Sequence, residues 1–136
     1  IQKNIQELRR WYQLPLADLS KPEILDRVHH HLRLALEGVF NITSHILARI
    51  PGARETEYKR MARKCGEVGL VDPSFANSAL VSMAGYRNRL THFYADIQPA
   101  ELHEIIQNNL DDIETFLKAV REIMQHPERL GLTLDK

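Results

Sequence analysis

A single cysteine, Cys65, stands in 136 residues. Neither an intrachain disulfide nor a cysteine-based zinc cluster can form from it, and a reducing, cytoplasmic setting is expected. Glycine is scarce, with six residues, and none lies in the spacing of a phosphate-cradling loop; no G-x-S-x-G nucleophile elbow occurs either. Neither sign of charge prevails, with 18 Lys and Arg against 18 Asp and Glu, which is not the profile of a strongly electrostatic nucleic-acid binder. The longest weakly charged stretch runs from residue 69 up to Arg87 with Asp72 alone inside it. It is too polar to span a bilayer, and no membrane partner is expected. No secretory leader is read in the opening residues, and because Ile1 rather than Met comes first, natural residues are expected to be missing ahead of it.

Hydrophobic residues at 43% and charged residues at 26% match an ordinary globular protein. A chain of this length forms one domain with a full core and no need of staples. The charge is unevenly spread. Residues 1–68 carry 12 basic and 8 acidic side chains, and residues 69–136 carry 6 and 10. A basic run comprises Arg54, Lys59, Arg60, Arg63 and Lys64; an acidic run comprises Glu101, Glu104, Asp111, Asp112 and Glu114. Taken singly, each run reads as a solvated helix face. Together they describe a dipolar molecule with one surface able to attract phosphate.

Every regular segment reads as helix, since no window alternates apolar and polar residues with β-branched enrichment. Ile5, Leu8 and Trp11 predict a first helix over residues 1–13. Ser20 and Glu23, with Pro22 between them, have the pattern of a capping box that starts a long helix running to Ile50, before Pro51 and Gly52. Thr56 is positioned to cap a third helix through Gly66, and Asp72 with Pro73 to open a fourth that ends at His92. Pro99 opens a fifth, apolar on one face from Leu102 to Ile123, which stops before Pro127. The expected fold is all-α, an antiparallel four- to five-helix bundle, with one domain over residues 1–126 and a weakly packed tail over 127–136.

The informative stretch is residues 85–94, Gly-Tyr-Arg-Asn-Arg-Leu-Thr-His-Phe-Tyr. At roughly 100° per residue, Ala76, Leu80, Met83, Ala84 and Leu90 surround Arg87 on the wheel of the fourth helix. Arg87 therefore falls in the middle of the apolar arc. A guanidinium there keeps its charge and must meet a carboxylate or a phosphate. Asn88, Thr91 and His92 gather at the same helix end. On the long helix Glu37, Asn41 and His45 form a polar stripe at i, i+4 and i+8, and Glu37 is the expected carboxylate for Arg87. The plainer alternative is a structural ion pair with Asn88 and His92 capping the helix. The run His29 to His31 reads as surface and rim, because consecutive helical residues point in three directions and cannot converge on a metal. Asp111, Asp112 and Glu114 fall on the polar side of the last helix, and Cys65 reads as packed, without a base beside it.

Arg87-x4-His92-x-Tyr94, with Asn88 directly after the arginine, resembles the R-x4-H-x-Y signature of HepT-like toxins in the HEPN superfamily. The resemblance extends over residues 23–124. It takes in the acidic position Glu37 on the long helix, Tyr58 on the short one, and the closing amphipathic helix. It implies a bundle that forms a homodimer and cuts RNA without a metal or other cofactor. It also implies a cognate minimal nucleotidyltransferase as antitoxin, encoded separately, since no G-S-x-D-x-D motif occurs here. The motif residues carry over as Arg87, Asn88 and His92 for catalysis and Tyr94 as the position for AMP attachment. Asn41 departs from the pattern, standing where an Asp often occurs. Thr91, Glu37 and Asn41 are expected to support the site, and Lys59, Arg60, Arg63 and Lys64 to contact RNA.

The residue types suit that chemistry. RNA brings its own nucleophile, the 2′-hydroxyl beside each phosphate. His92 titrates near neutrality and can move a proton, while Arg87 can fork two phosphate oxygens as their charge builds. From a different class, a non-catalytic helical subunit that binds a nucleotidyltransferase fits the same sequence, and the neutral overall charge speaks for it.

Overall fold

The computed structural model describes residues 2–10, 21–92 and 98–130, save the side chains of Gln2, Asn4, Arg10 and His92. Apolar spacing is realised in five helices among them. These are α1, Gln2–Arg10; α2, Pro22–Leu47; α3, Tyr58–Glu67; α4, over residues 73–92; and α5, Pro99–Gln125. No strand occurs among the described residues, and none of these helices is long and apolar enough to cross a membrane. The chain is thus an all-α bundle, as its periodicity requires.

The helix starts show which local signals act. Pro22 takes the first turn of α2, where its missing N–H costs nothing. The capping position is Lys21, which gives no side-chain bond, so the expected start one residue earlier is corrected; Ser20 lies outside the described residues. Glu57, and not Thr56, caps α3. Its carboxylate accepts from the Lys59 and Arg60 N–H groups, both at 3.0 Å, and a charged acceptor facing a helix N-terminus outcompetes a hydroxyl. Those bonds hold the Glu57 carboxyl below the usual range. Asp72 caps α4 as expected, accepting from Ser74 N and Oγ at 2.9 Å. The tail begins with a 3-10 turn, Pro127–Leu130, whose Leu130 packs on the core beside Gly69.

α2 supplies the centre of the core with Val28, Leu32, Leu36, Val39 and Phe40, all 1% exposed or less. α5 closes it with Leu102, Ile106, Leu110, Ile113 and Phe116. α1 adds Ile5 and Leu8, and its Arg9 ties to α5 through Asp111 at 2.6 Å and Glu114 at 3.0 Å. α3 crosses α4 closely at Gly66, where a Cβ would stand 2.9 Å from Ala76 Cβ and 3.0 Å from Pro73 Cα.

α4 is not uniform. It begins as α-helix over Pro73–Phe75, widens to a π-helix over Ala76–Leu80, and returns to α-helix over Val81–His92. The Val81 N–H bonds the Ala76 carbonyl five residues back. A π turn takes in more residues than an α turn, so positions after Leu80 are rotated from a uniform 100° wheel. Met83, Ala84 and Leu90 share the regular α-helical stretch with Arg87, flank it on the wheel and are buried, so Arg87 keeps its place in the apolar arc while its own side chain is half-buried. Leu80, Met83 and Leu90 are covered within the one chain, at 0%, 0% and 1% exposure.

Candidate active site

Arg87 faces α2 and α3 together. Its side chain shares a cavity of about 170 Å³ with Glu37 and Asn41 of α2 and Tyr58 of α3. The guanidinium carbon lies 4.2 Å from the centroid of the Tyr58 ring, a cation–π stack. Phe40 braces that ring edge-on, with centroids 5.4 Å apart and planes at 63°. Tyr58 sits where it does because the Glu57 cap starts α3 at that residue.

The expected Arg87–Glu37 ion pair does not form. Glu37 accepts from Arg33, one turn back on its own helix, at 3.4 Å, and lies across the cavity from Arg87. An i, i+4 pair on a rigid helix is made with little loss of freedom, while Arg87 is held by the Tyr58 face. Arg87 Nη1 makes a long contact of 3.5 Å to Asn88 Oδ1. Its Nε is shielded from solvent and meets no acceptor among the described residues. Arg87, Asn88, Glu37 and Asn41 are therefore brought to one place. His45, the last member of the α2 stripe, is exposed, and its carbonyl accepts from the Arg49 side chain at 3.0 Å.

Thr91 points elsewhere. With Leu90 it lines a larger cavity of about 420 Å³, walled on α2 by Leu25, Asp26, His29, His30 and Arg33 and on α5 by Leu102. Moving one turn on along α4, from Arg87 to Thr91, thus moves back along α2, from Asn41 and Glu37 to Arg33 and His29. The two helices are antiparallel, and a polar seam follows their contact, with the Arg33–Glu37 pair joining its two cavities. Thr91 Oγ1, like Arg87 Nε, is shielded without an acceptor among the described residues.

His92 is the last residue of α4 and stands next to this second cavity in the chain; Tyr94 lies outside the described residues. Just before that end Arg89 clamps α4 to α5, gripping Glu101 with both terminal nitrogens, Nη2 to Oε2 at 2.8 Å. The basic residues of α3 divide. Lys59, Arg60 and Arg63 are exposed, whereas Lys64 is half-buried and paired with Glu67 at 3.2 Å. Lys59 leans over α4, its Cε 4.0 Å from where a Cβ would sit on Gly85.

Three seam residues were given no site role from the sequence, although the resemblance takes in Tyr58. Arg33 was legible as an i, i+4 partner of Glu37. Tyr58 carried no spacing signal toward Arg87, because the two lie on different helices. His29, read as surface or rim, is half-buried in the seam. Burial first, and then the Arg33 charge, push its imidazole below its usual value, against opposing effects of Asp26 and of a bond to the Leu90 backbone. Asp112 on α5 is pushed up by burial and by Asp111. Among the described residues no three His, Cys, Asp or Glu side chains come together as a metal set.

A family model described as Ribonuclease HepT-like matches residues 1–120 of the chain. No curated protein matches it.

Proposed function

The chain belongs to the HepT-like ribonuclease family, and from that membership together with the Arg87 geometry we propose that it is a metal-independent endoribonuclease toxin. The observation that carries the reading is the stacked Arg87 guanidinium with its shielded Nε. A charged donor in that state is satisfied by an anion, and a phosphodiester is the anion a ribonuclease must hold.

In this reading Arg87 grips the scissile phosphate and Asn88 orients the histidine or donates to a phosphate oxygen. His92 takes the proton of the 2′-hydroxyl, whose oxygen attacks phosphorus, and the bond to the 5′-oxygen breaks as that oxygen gains a proton. The products are a 2′,3′-cyclic phosphate and a 5′-hydroxyl. One imidazole is poorly suited to be base and acid in a single step, so the active form is a two-fold homodimer whose two His92 residues divide the roles. Glu37, Asn41 and Thr91 support the site from the seam, and Lys59, Arg60 and Arg63 draw the strand across α3. A separate nucleotidyltransferase attaches AMP to Tyr94, and the added anion repels and blocks the incoming phosphate.

The test is cleavage of RNA by the full chain. Arg87→Ala and His92→Ala are expected to lower the rate by about 10²–10⁴-fold with the fold retained, and a chelator to have no effect. Undiminished cleavage by Arg87→Ala overturns the reading. An inert parent chain that binds a nucleotidyltransferase favours the non-catalytic subunit instead. Tyr94→Phe is expected to cut RNA yet escape the nucleotidyltransferase; AMP mapped to Tyr58 or Tyr86 refutes the modification site.

A further inference from the structure

The second cavity is larger than the one at Arg87, and the proposed chemistry leaves it unused. We propose that it is a nucleotide subsite, which holds a base and phosphate next along the RNA strand from the scissile phosphate. The inference rests on the proposed ribonuclease reading for the identity of the strand, but on the geometry of the seam for its place.

Three features specify the ligand. The volume of about 420 Å³ lies in the range of pockets that take one small organic ligand. Its walls divide by chemistry: the half-buried Leu25 with the nearly covered Leu90 and Leu102 forms the apolar side, on three helices, and His30 and Arg33 bring hydrogen-bonding groups to the other. A nucleotide divides the same way, into a flat base and an anionic phosphate. Arg33 supplies a forked donor suited to phosphate, its Nη1 making a long contact of 3.4 Å to Glu37, and Thr91 lines the same cavity.

The third feature is continuity. His30 and Glu37 are seven residues apart on α2, about 10 Å along a helix. The two cavities are therefore neighbouring stations on one path. Arg33 stands at their junction, lining one cavity and paired to Glu37, which lines the other. A strand gripped by Arg87 follows this groove toward the N-terminal half of α2. Asp26 opposes the arrangement, since its exposed carboxylate lies on the same wall.

That opposition gives the test its sign. The full chain is titrated with a 2′-O-methyl decanucleotide, which cannot supply the attacking hydroxyl and stays intact. Binding is read by fluorescence anisotropy at several salt concentrations. Arg33→Gln is expected to weaken binding about tenfold and to lower the slope of log Kd against log salt by about 0.7, the loss of one single-strand phosphate contact. Asp26→Asn is expected to tighten binding severalfold. Damage to the fold weakens both variants, so opposite signs cannot arise from it. An affinity unmoved by either substitution, or lowered equally by both, overturns the subsite, as it would if the cavity took an acidic side chain of a protein partner. An oligonucleotide that binds with these opposite effects to a chain that never cuts RNA upholds the subsite while ending the ribonuclease reading.

Discussion

Replacing Tyr58 by leucine tests whether the aromatic face orients Arg87. The guanidinium carbon lies 4.2 Å from the ring centroid. Such stacks contribute about 0.5–1 kcal/mol when exposed and about 2 kcal/mol when desolvated. Arg87 is half-buried with its Nε shielded, which places this one at about 1–1.5 kcal/mol. If that energy serves to hold the fork in its productive orientation, its loss lowers kcat/KM about five- to thirteenfold. Leucine retains apolar bulk but loses the edge-on contact with Phe40, costing about 0.5–1.5 kcal/mol of stability. Tyr58→Phe keeps both the face and the edge contact. The assay is steady-state cleavage of a fluorogenic RNA, with kcat and KM resolved, beside urea denaturation of each variant. A folded Tyr58→Leu protein as active as the parent, or a Tyr58→Phe protein as impaired as Tyr58→Leu, refutes the reasoning.

Three further outcomes follow from buried groups. Because the folded chain holds the His29 imidazole below its usual value of 6.5, through burial first and Arg33 second, the unfolded chain binds the extra proton. Its contribution to stability is complete above pH 6.5 and is lost as pH falls through the lowered folded value; urea midpoints of His29→Gln are expected to fall less than the parent's over that window, and parallel curves would rule this out. Burial pushes the Cys65 thiol up to about 12 at 0% exposure, so a thiol reagent at pH 8 is expected to react only as fast as the protein unfolds, and prompt labelling of the native chain contradicts it. In Gly66→Ala the new Cβ meets Pro73 Cα at 3.0 Å, backbone that cannot swing aside; overpacking of about 1–3 kcal/mol exceeds the gain of about 1 kcal/mol in helix propensity, and the melting midpoint is expected to drop by about 4 °C, whereas an unchanged midpoint would show room at the crossing.

Boundaries written in hard local chemistry were legible. Pro99 and Pro127 bracket α5, and the structure ends that helix at Gln125. Asp72 with Pro73 opens α4 as read. Boundaries that rest on a choice between neighbours were not. Thr56 and Glu57 are both able caps, and only the folded geometry shows the carboxylate reaching two N–H groups. The end of α2 falls at Leu47, three residues short of Ile50, because the chain tightens there, with Arg49 and Ile50 bonding carbonyls three residues back before Gly52 turns it at φ 77°. The π segment of α4 has no signature in Ala-Asn-Ser-Ala-Leu; it rotates Ala76 and Leu80 relative to Arg87 and leaves Met83, Ala84 and Leu90 flanking it.

The site illustrates why a motif names its chemistry sooner than its geometry. Arg87, Asn88 and His92 are close in sequence, so their shared helix end could be read from spacing alone. What holds Arg87 comes from α3, and the three signals that fix α3 have no sequence link to the motif. The Glu57 cap sets the residue at which the helix begins, so that Tyr58 opens it. Gly66, two turns on, lets the backbone of α3 close against α4 at Ala76 and Pro73. Phe40, from α2, then sets the tilt of the ring. Each is an ordinary device when taken alone: a carboxylate cap, a small residue at a crossing, an aromatic edge contact. Acting together they determine where a flat apolar face stands beneath the guanidinium, and Glu37, left to Arg33, is free to shape the cavity wall rather than neutralise its cation. An arginine held by a ring keeps its full charge for an incoming anion, whereas one held by a carboxylate would have to exchange one anion for another.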